Sequence, residues 1–251
     1  MGSSVQADIL VFAVSGFLGQ GSDWNIFKSN LSSEFAVKTI DLFAPGVSKN
    51  THANNFDFTG HLIEEIQTQS KNYKRKIYLG YSFGGRLGLK IMQKNADLFD
   101  HWVFVSTGVG LLESQHEERA LRLAQDQQWA EKISSENWDS FLNEWNSQAV
   151  FKDSITEPTR LVSQYDLRLL KGALVAESLA FQPDFRSLVK TNKSKISWLV
   201  GRNDKKYLNM AEELFSLDCL VNFDKLSGSH RLTFDAPIEI AQFFNNNLVL
   251  K

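Results

Sequence analysis

The sequence predicts an α/β protein: a six-stranded, mainly parallel sheet flanked by helices, with a helical insertion between the fourth and fifth strands. Three observations carry this. Short apolar runs alternate with amphipathic stretches along most of the chain, the pattern of repeated strand–helix–strand units. The runs are continuous rather than alternating in polarity, as strands buried on both faces should be. One long interval holds helical patterns and no convincing strand.

The runs read as strands are Ile9–Val14, Val37–Asp41, Lys76–Gly80, Trp102–Ser106, Ile196–Gly201 and Leu220–Phe223. Helical patterns lie between them at about Trp24–Leu31, Phe58–Ser70, Phe83–Asn95, Lys206–Leu217 and Ala236–Leu248. The expected spatial order is second, first, third, fourth, fifth, sixth. Only seven residues precede Asp8, so an antiparallel lead-in pair is expected to be missing or vestigial. Residues 111–189 read as several helices, among them Gln115–Ile133, Asn137–Trp145 and Leu167–Leu179. This stretch is long enough to cap the sheet's edge, and it carries Trp129, Trp138 and Trp145. Without a linker-like Pro/Gly/Ser stretch, residues 1–251 read as a single domain with 111–189 inserted in it.

Composition narrows the function classes. The chain is 43% hydrophobic and 22% charged, as a globular protein is, and its length should bury roughly 70–75% of the unfolded surface. A formal net charge of −2 offers no bulk attraction to nucleic acid or to an anionic membrane. A lone cysteine, Cys219, excludes an intramolecular disulfide. The apolar run Ile9–Val14 is short and has no Lys or Arg before it, unlike a signal peptide. No apolar stretch approaches the ~20 residues of a membrane helix. The expectation is a soluble, cytoplasmic protein with no cofactor or metal.

The chemistry centres on Gly80-Tyr81-Ser82-Phe83-Gly84. A strand-like run precedes it and a helix-like run follows. This is the context of a nucleophile elbow, where serine sits in a strained turn and its neighbours two residues away must be small. The bland alternative is a Gly-rich structural turn. A helix N-terminus after the serine adds positive potential where an oxyanion would develop. Among His52, His61, His101, His116 and His230, only His230 follows the last strand, where the base belongs in the order serine, acid, histidine. Asp204 follows the fifth strand and is the expected acid; a plain helix N-cap competes for it, and Glu113 is the fallback. Two amides are expected to form an oxyanion hole, that of Phe83 after the serine and that of Phe17 in the Ser15–Gly19 loop.

These residues resemble the α/β-hydrolase superfamily over almost the whole chain, which makes the expected architecture an α/β-hydrolase fold. Within it, the sequence is similar to the 2-succinyl-6-hydroxy-2,4-cyclohexadiene-1-carboxylate synthases of menaquinone biosynthesis. The elbow runs on as Gly84-Gly85-Arg86, close to that family's G-Y-S-L-G-G-R. Further likeness lies in Glu118-Arg119-Ala120-Leu121-Arg122, Gln128-Trp129-Ala130, Trp145–Phe151 and Ser178–Arg186. The resemblance implies a lyase that eliminates pyruvate from a polyanionic cyclohexene, with Ser82, activated by His230, removing a ring proton and forming no acyl-enzyme. It implies cationic side chains for the substrate carboxylates, which arginine can pair bidentately. Arg86 and Arg122 are the candidates, then Arg119, which shares a helix face with Arg122; Tyr81 and Trp145 would line the site. A third arginine is either Arg160 or Arg168. Ser15 stands where the family has histidine, Leu42–Gly46 replaces its P-G-H-G-x-S, and Ser229 precedes His230 in place of glycine. A hydrolase of esters or C–C bonds would use the same triad, and a non-catalytic binding protein is the third reading.

Overall fold

The computed structural model describes residues 7–48, 56–70 and 73–249; His52 and the segment before Ala7 lie outside them. Strands β1 (Ile9–Val14), β2 (Phe35–Ile40), β3 (Arg75–Tyr81), β4 (His101–Val105), β5 (Ile196–Gly201) and β6 (Asp224–Leu226) form one sheet. Their order is β2-β1-β3-β4-β5-β6, and every pairing is parallel.

The continuous apolar runs have a direct cause. Ile9, Val11 and Ala13 of β1 pack into one core, while Phe12 and Val14 pack into another on the opposite face. Trp102 and Phe104 of β4 likewise point away from Val103 and Val105. Strands covered on both faces have no polar side to show. Helices α1 (Asn25–Ser29) and α10 (Pro237–Asn247) cover one face, through Phe27, Ile240 and Phe244. Helices α2 (Phe58–Gln69), α3 (Phe83–Lys94) and α8 (Lys205–Ser216) cover the other. The short α9 (Leu232–Asp235) precedes α10.

Between β4 and β5, the described residues form only helices and turns. These are α4 (His116–Lys132), α5 (Trp138–Asn146), α6 (Leu167–Ala176), α7 (Arg186–Thr191) and short 3-10 turns. Helix α7 had no sequence signal strong enough to separate it from the end of the insertion.

The sixth strand differs from the expectation. Leu220–Phe223 is not a strand; Asp224–Leu226 is. Asp218 adopts a left-handed φ of 57° to end α8, and Cys219 and Leu220 then turn inward against the core. Their apolar character serves that helix end. Of the residues that pair with β5, Asp224 and Lys225 are polar because β6 is an edge strand, open to water on one side, while Leu226 is buried in the core.

Candidate active site

Loops at the carboxyl ends of parallel strands are where such sheets build sites, and four of them converge here. Ser82 follows β3, residues 15–19 follow β1, Asp204 follows β5 and His230 follows β6.

Ser82 has φ 50° and ψ −106°, a strained conformation for a residue with a side chain. Surrounding close packing holds it. A Cβ on Gly84 would lie 2.3 Å from the carbonyl oxygen of Val14, and one on Gly80 would lie 2.7 Å from the Cα of Gly85. Only hydrogen fits at either position, so the two glycines let α3 approach β1 and β3 while the serine projects from the turn. The Ser82 amide donates to the Val105 carbonyl at 2.9 Å, tying the elbow to β4.

Ser82 Oγ lies 3.1 Å from His230 Nε2, and His230 Nδ1 lies 2.7 Å from Asp204 Oδ2. His230 and Asp204 are both buried. The two placements weighed for Asp204 coexist: it contacts His230, and its Oδ1 accepts the Tyr207 amide at 3.4 Å and caps α8. Glu113 is exposed and pairs with Arg119 at 3.5 Å, not with His230. His101 sits at the opposite end of the sheet beside Ser197, where burial lowers its pKa to about 4.

The Phe83 amide is the first N–H of α3 and has no acceptor within the helix. Phe17 sits in the β1 loop, its ring 6.4 Å from that of Phe83, in a turn closed by the Gly19 amide donating to the Gly16 carbonyl. Ser15 is buried and structural: its Oγ accepts from Trp24 Nε1 at 2.8 Å and donates to the Gln20 carbonyl at 3.0 Å.

Two cavities meet at Ser82 and His230, with Phe17, Trp145 and Phe151 as shared walls. The larger, about 380 Å³, is lined by Arg86, Arg122, Asp126, Lys206 and Tyr207, and also by Leu174 and Leu179. The smaller, about 70 Å³, is lined by Tyr81, Asp23, Arg160 and Arg231. A wider groove of about 940 Å³ beside α2 contains none of the triad residues.

Arg86 and Arg122 thus share the larger cavity with Ser82. Arg86 donates to the Glu177 carbonyl at 2.6 Å and to Gln182 Oε1 at 3.4 Å. It has no carboxylate within salt-bridge distance among the described residues, since the Glu177 carboxylate is held by Lys90. Burial, and next the charge of Arg122, lower the Arg86 pKa to about 10. Arg122 pairs with buried Asp126 at 2.8 Å. Tyr81 lines the smaller cavity, and burial raises its pKa.

Arg119 does not belong with them. Its guanidinium donates to the carbonyls of Leu111 (2.6 Å), Ala180 (2.8 Å) and Gln182 (3.0 Å), which ties α4 to the chain after α6. Arg168 is half-exposed and pairs with Asp166, whereas Arg160 reaches the smaller cavity in a bidentate pair with Asp23. Sequence reasoning missed Tyr207, whose ring lies 4.6 Å from that of His230, and Arg231. Their adjacency to the triad, three residues past Asp204 and one past His230, was the available signal.

The α/β hydrolase fold model matches residues 9–182. The chain belongs to the α/β-hydrolase family. Within that family, an Escherichia coli O1:K1 / APEC protein named 2-succinyl-6-hydroxy-2,4-cyclohexadiene-1-carboxylate synthase is 31% identical over 218 residues, 84% of this chain and 83% of its own. A Haemophilus influenzae protein provisionally given the same name is 30% identical over 211 residues, 82% of this chain and 85% of its own. Among solved structures, MenH from S. aureus aligns with a TM-score of 0.81 at 18% identity, over 98% of this chain and 95% of that one. A carboxylesterase structure from Nitrososphaera gargenis aligns at 0.70 and 14% identity, over 99% and 92%. These distant structures speak to the fold alone. As an α/β-hydrolase family member with synthase relatives, this protein is an enzyme, and no helix among its described residues is long and apolar enough to cross a membrane.

Proposed function

We propose that this enzyme is a carbon–oxygen lyase of the synthase type its relatives are named for, eliminating pyruvate from a polycarboxylate cyclohexene. Ser82 passes its proton to His230 Nε2 and takes a proton from a ring carbon. The C–H electron pair enters the ring as a new double bond, and the C–O bond to the three-carbon group breaks. The enolate that leaves takes back a proton and becomes pyruvate. Asp204 holds the His230 tautomer and stabilises the imidazolium, as the acid of a triad does. The Phe17 and Phe83 amides stabilise developing negative charge.

The observation that carries this reading is Arg86. A largely desolvated guanidinium beside the serine, without a carboxylate of its own, is costly unless an anion completes it. A neutral-ester site would have little use for it. Arg122 stands in the same wall with its charge only partly answered by Asp126. The apolar patch of Leu174 and Leu179 favours a second reading, hydrolysis of an ester or C–C bond by the same triad. Incubation with the pathway intermediate, coupled to pyruvate detection, separates them. Pyruvate formed in step with ring product supports the lyase. Its absence, with turnover of neutral esters, selects the hydrolase.

A further inference from the structure

The smaller cavity, which meets the larger one at Ser82 and His230, repeats its electrostatic arrangement of one arginine beside an arginine–aspartate pair. Arg231 is 6% exposed and lines it. Its guanidinium lies 4.1 Å from the centroid of the Phe151 ring, donates to Asn146 Oδ1 at 2.5 Å and to the Thr156 carbonyl at 3.3 Å. No carboxylate lies within salt-bridge distance of it among the described residues. The neighbouring acids are engaged elsewhere. Asp23 is taken up bidentately by Arg160, at 2.9 and 2.7 Å. Glu157 accepts from Asn146 Nδ2, and Asp235 accepts the amides of Ile155 and Ser229. Among the residues that line the cavity, Arg160 and Asp23 cancel and Arg231 is left with a positive charge that no ion pair answers; the Glu157 and Asp235 carboxylates act on it only from beyond salt-bridge distance.

Stacking on Phe151 and two neutral acceptors fix the guanidinium in place but leave several of its five N–H donors unused. A buried cation with neutral partners and free donors is a preorganised anion site. At about 70 Å³ the cavity has room for a few waters or a small acid, but not for a ring.

We propose that the smaller cavity is a second anion subsite, in which Arg231 receives the carboxylate of a three-carbon 2-oxo acid while the ring and its carboxylates occupy the Arg86–Arg122 cavity. The substrate then straddles Ser82, with an anchor at each end and the reacting carbon between. Only the identity of the small acid rests on the lyase reading; the anion site itself stands on the geometry of Arg231.

Direct binding tests this without turnover. Calorimetry is run with pyruvate and, separately, with succinate on the wild-type protein and on Arg231→Met, Arg231→Lys and Arg86→Met, each checked for cooperative unfolding. Pyruvate affinity should fall at least ten-fold in Arg231→Met, recover partly in Arg231→Lys, and change less than three-fold in Arg86→Met. Succinate should show the reverse dependence. Pyruvate binding that is unmeasurable in the wild type, unaffected by Arg231→Met, or lost equally in both methionine variants overturns the subsite. If Arg231→Met does not fold, Arg231→Lys carries the test, and pyruvate affinity equal to wild type there, with no gain of dependence on pH or salt, overturns it. A wild type that releases no pyruvate from the ring substrate, yet binds small acids through Arg231, defeats the lyase reading and leaves the subsite standing.

Discussion

Replacing Arg86 by methionine keeps much of the side-chain volume and removes the charge. In the folded protein the guanidinium touches the Glu177 carbonyl and Gln182, with the Phe83 ring centroid 5.2 Å away. A charge-assisted hydrogen bond to a substrate carboxylate contributes roughly 1.5–3 kcal/mol. Its loss should therefore lower kcat/KM on the polycarboxylate by about 10- to 150-fold. Cleavage of a small neutral ester, where measurable, should change less than about three-fold, because such a substrate never used the charge. Stability should move little: an unsatisfied Glu177 carbonyl costs about 1–3 kcal/mol, and removing a desolvated unpaired cation offsets much of that. Arg86 has its folded pKa lowered to about 10 by burial and by Arg122. For a base this is a penalty on the charged folded state. It is fully present below pH 10 and relieved only as pH rises from there toward the ordinary arginine value, so it is constant near neutrality. Anion binding through Arg86 should accordingly be flat from pH 6 to about 9. The assays are steady-state pyruvate release, neutral-ester hydrolysis and thermal unfolding. Equal losses on charged and neutral substrates, or a loss under three-fold on the polycarboxylate, would refute the reasoning.

Three further outcomes follow from the geometry. Ser82→Ala should remove about three orders of magnitude or more of turnover while shifting Tm by no more than about 4 °C, since alanine keeps the turn; turnover within a few-fold of the parent takes Ser82 out of the chemistry. Asp204→Asn should cut kcat by about 10⁴-fold, because the amide favours the wrong His230 tautomer, yet spare stability because asparagine also caps α8; Glu113→Gln, at an exposed position, should leave kcat unchanged, and the opposite ranking would exchange the two acids. Gly84→Ala should destabilise by about 3 kcal/mol or more, since its Cβ would lie 2.3 Å from the Val14 carbonyl oxygen, whereas the nearest atom to a Cβ on Gly108 is 3.8 Å away; chemical denaturation that ranks the two variants alike would mean the elbow can relax.

What the sequence determined by itself is what short-range physics encodes. Continuous apolar runs marked β1, β3, β4 and β5 because each side chain there meets a core on one face or the other. Gly80-Tyr81-Ser82-Phe83-Gly84 was legible as a local spacing of small residues around a serine, although the Val14 carbonyl that excludes a Cβ at Gly84 is brought there only by the fold. Asp204 and His230 were found from their positions after the fifth strand and before the last helix, since strand ends in a parallel sheet bring such loops together. The weaker signals were those in which polarity and packing part company. The mostly apolar Leu220–Phe223 followed a helix end at which Cys219 and Leu220 turn into the core, and the short edge strand Asp224–Leu226 offered only Leu226 as an apolar signal. The arginines depended on tertiary structure throughout. Arg119 and Arg122 share a helix face, yet one braces three carbonyls and the other enters the Ser82 cavity. Arg160 finds Asp23 across 137 residues, and Arg231 finds Asn146 across 85. A long, flexible side chain with five donors takes its role from whatever acceptors the fold delivers within reach, and that delivery is written in no local pattern.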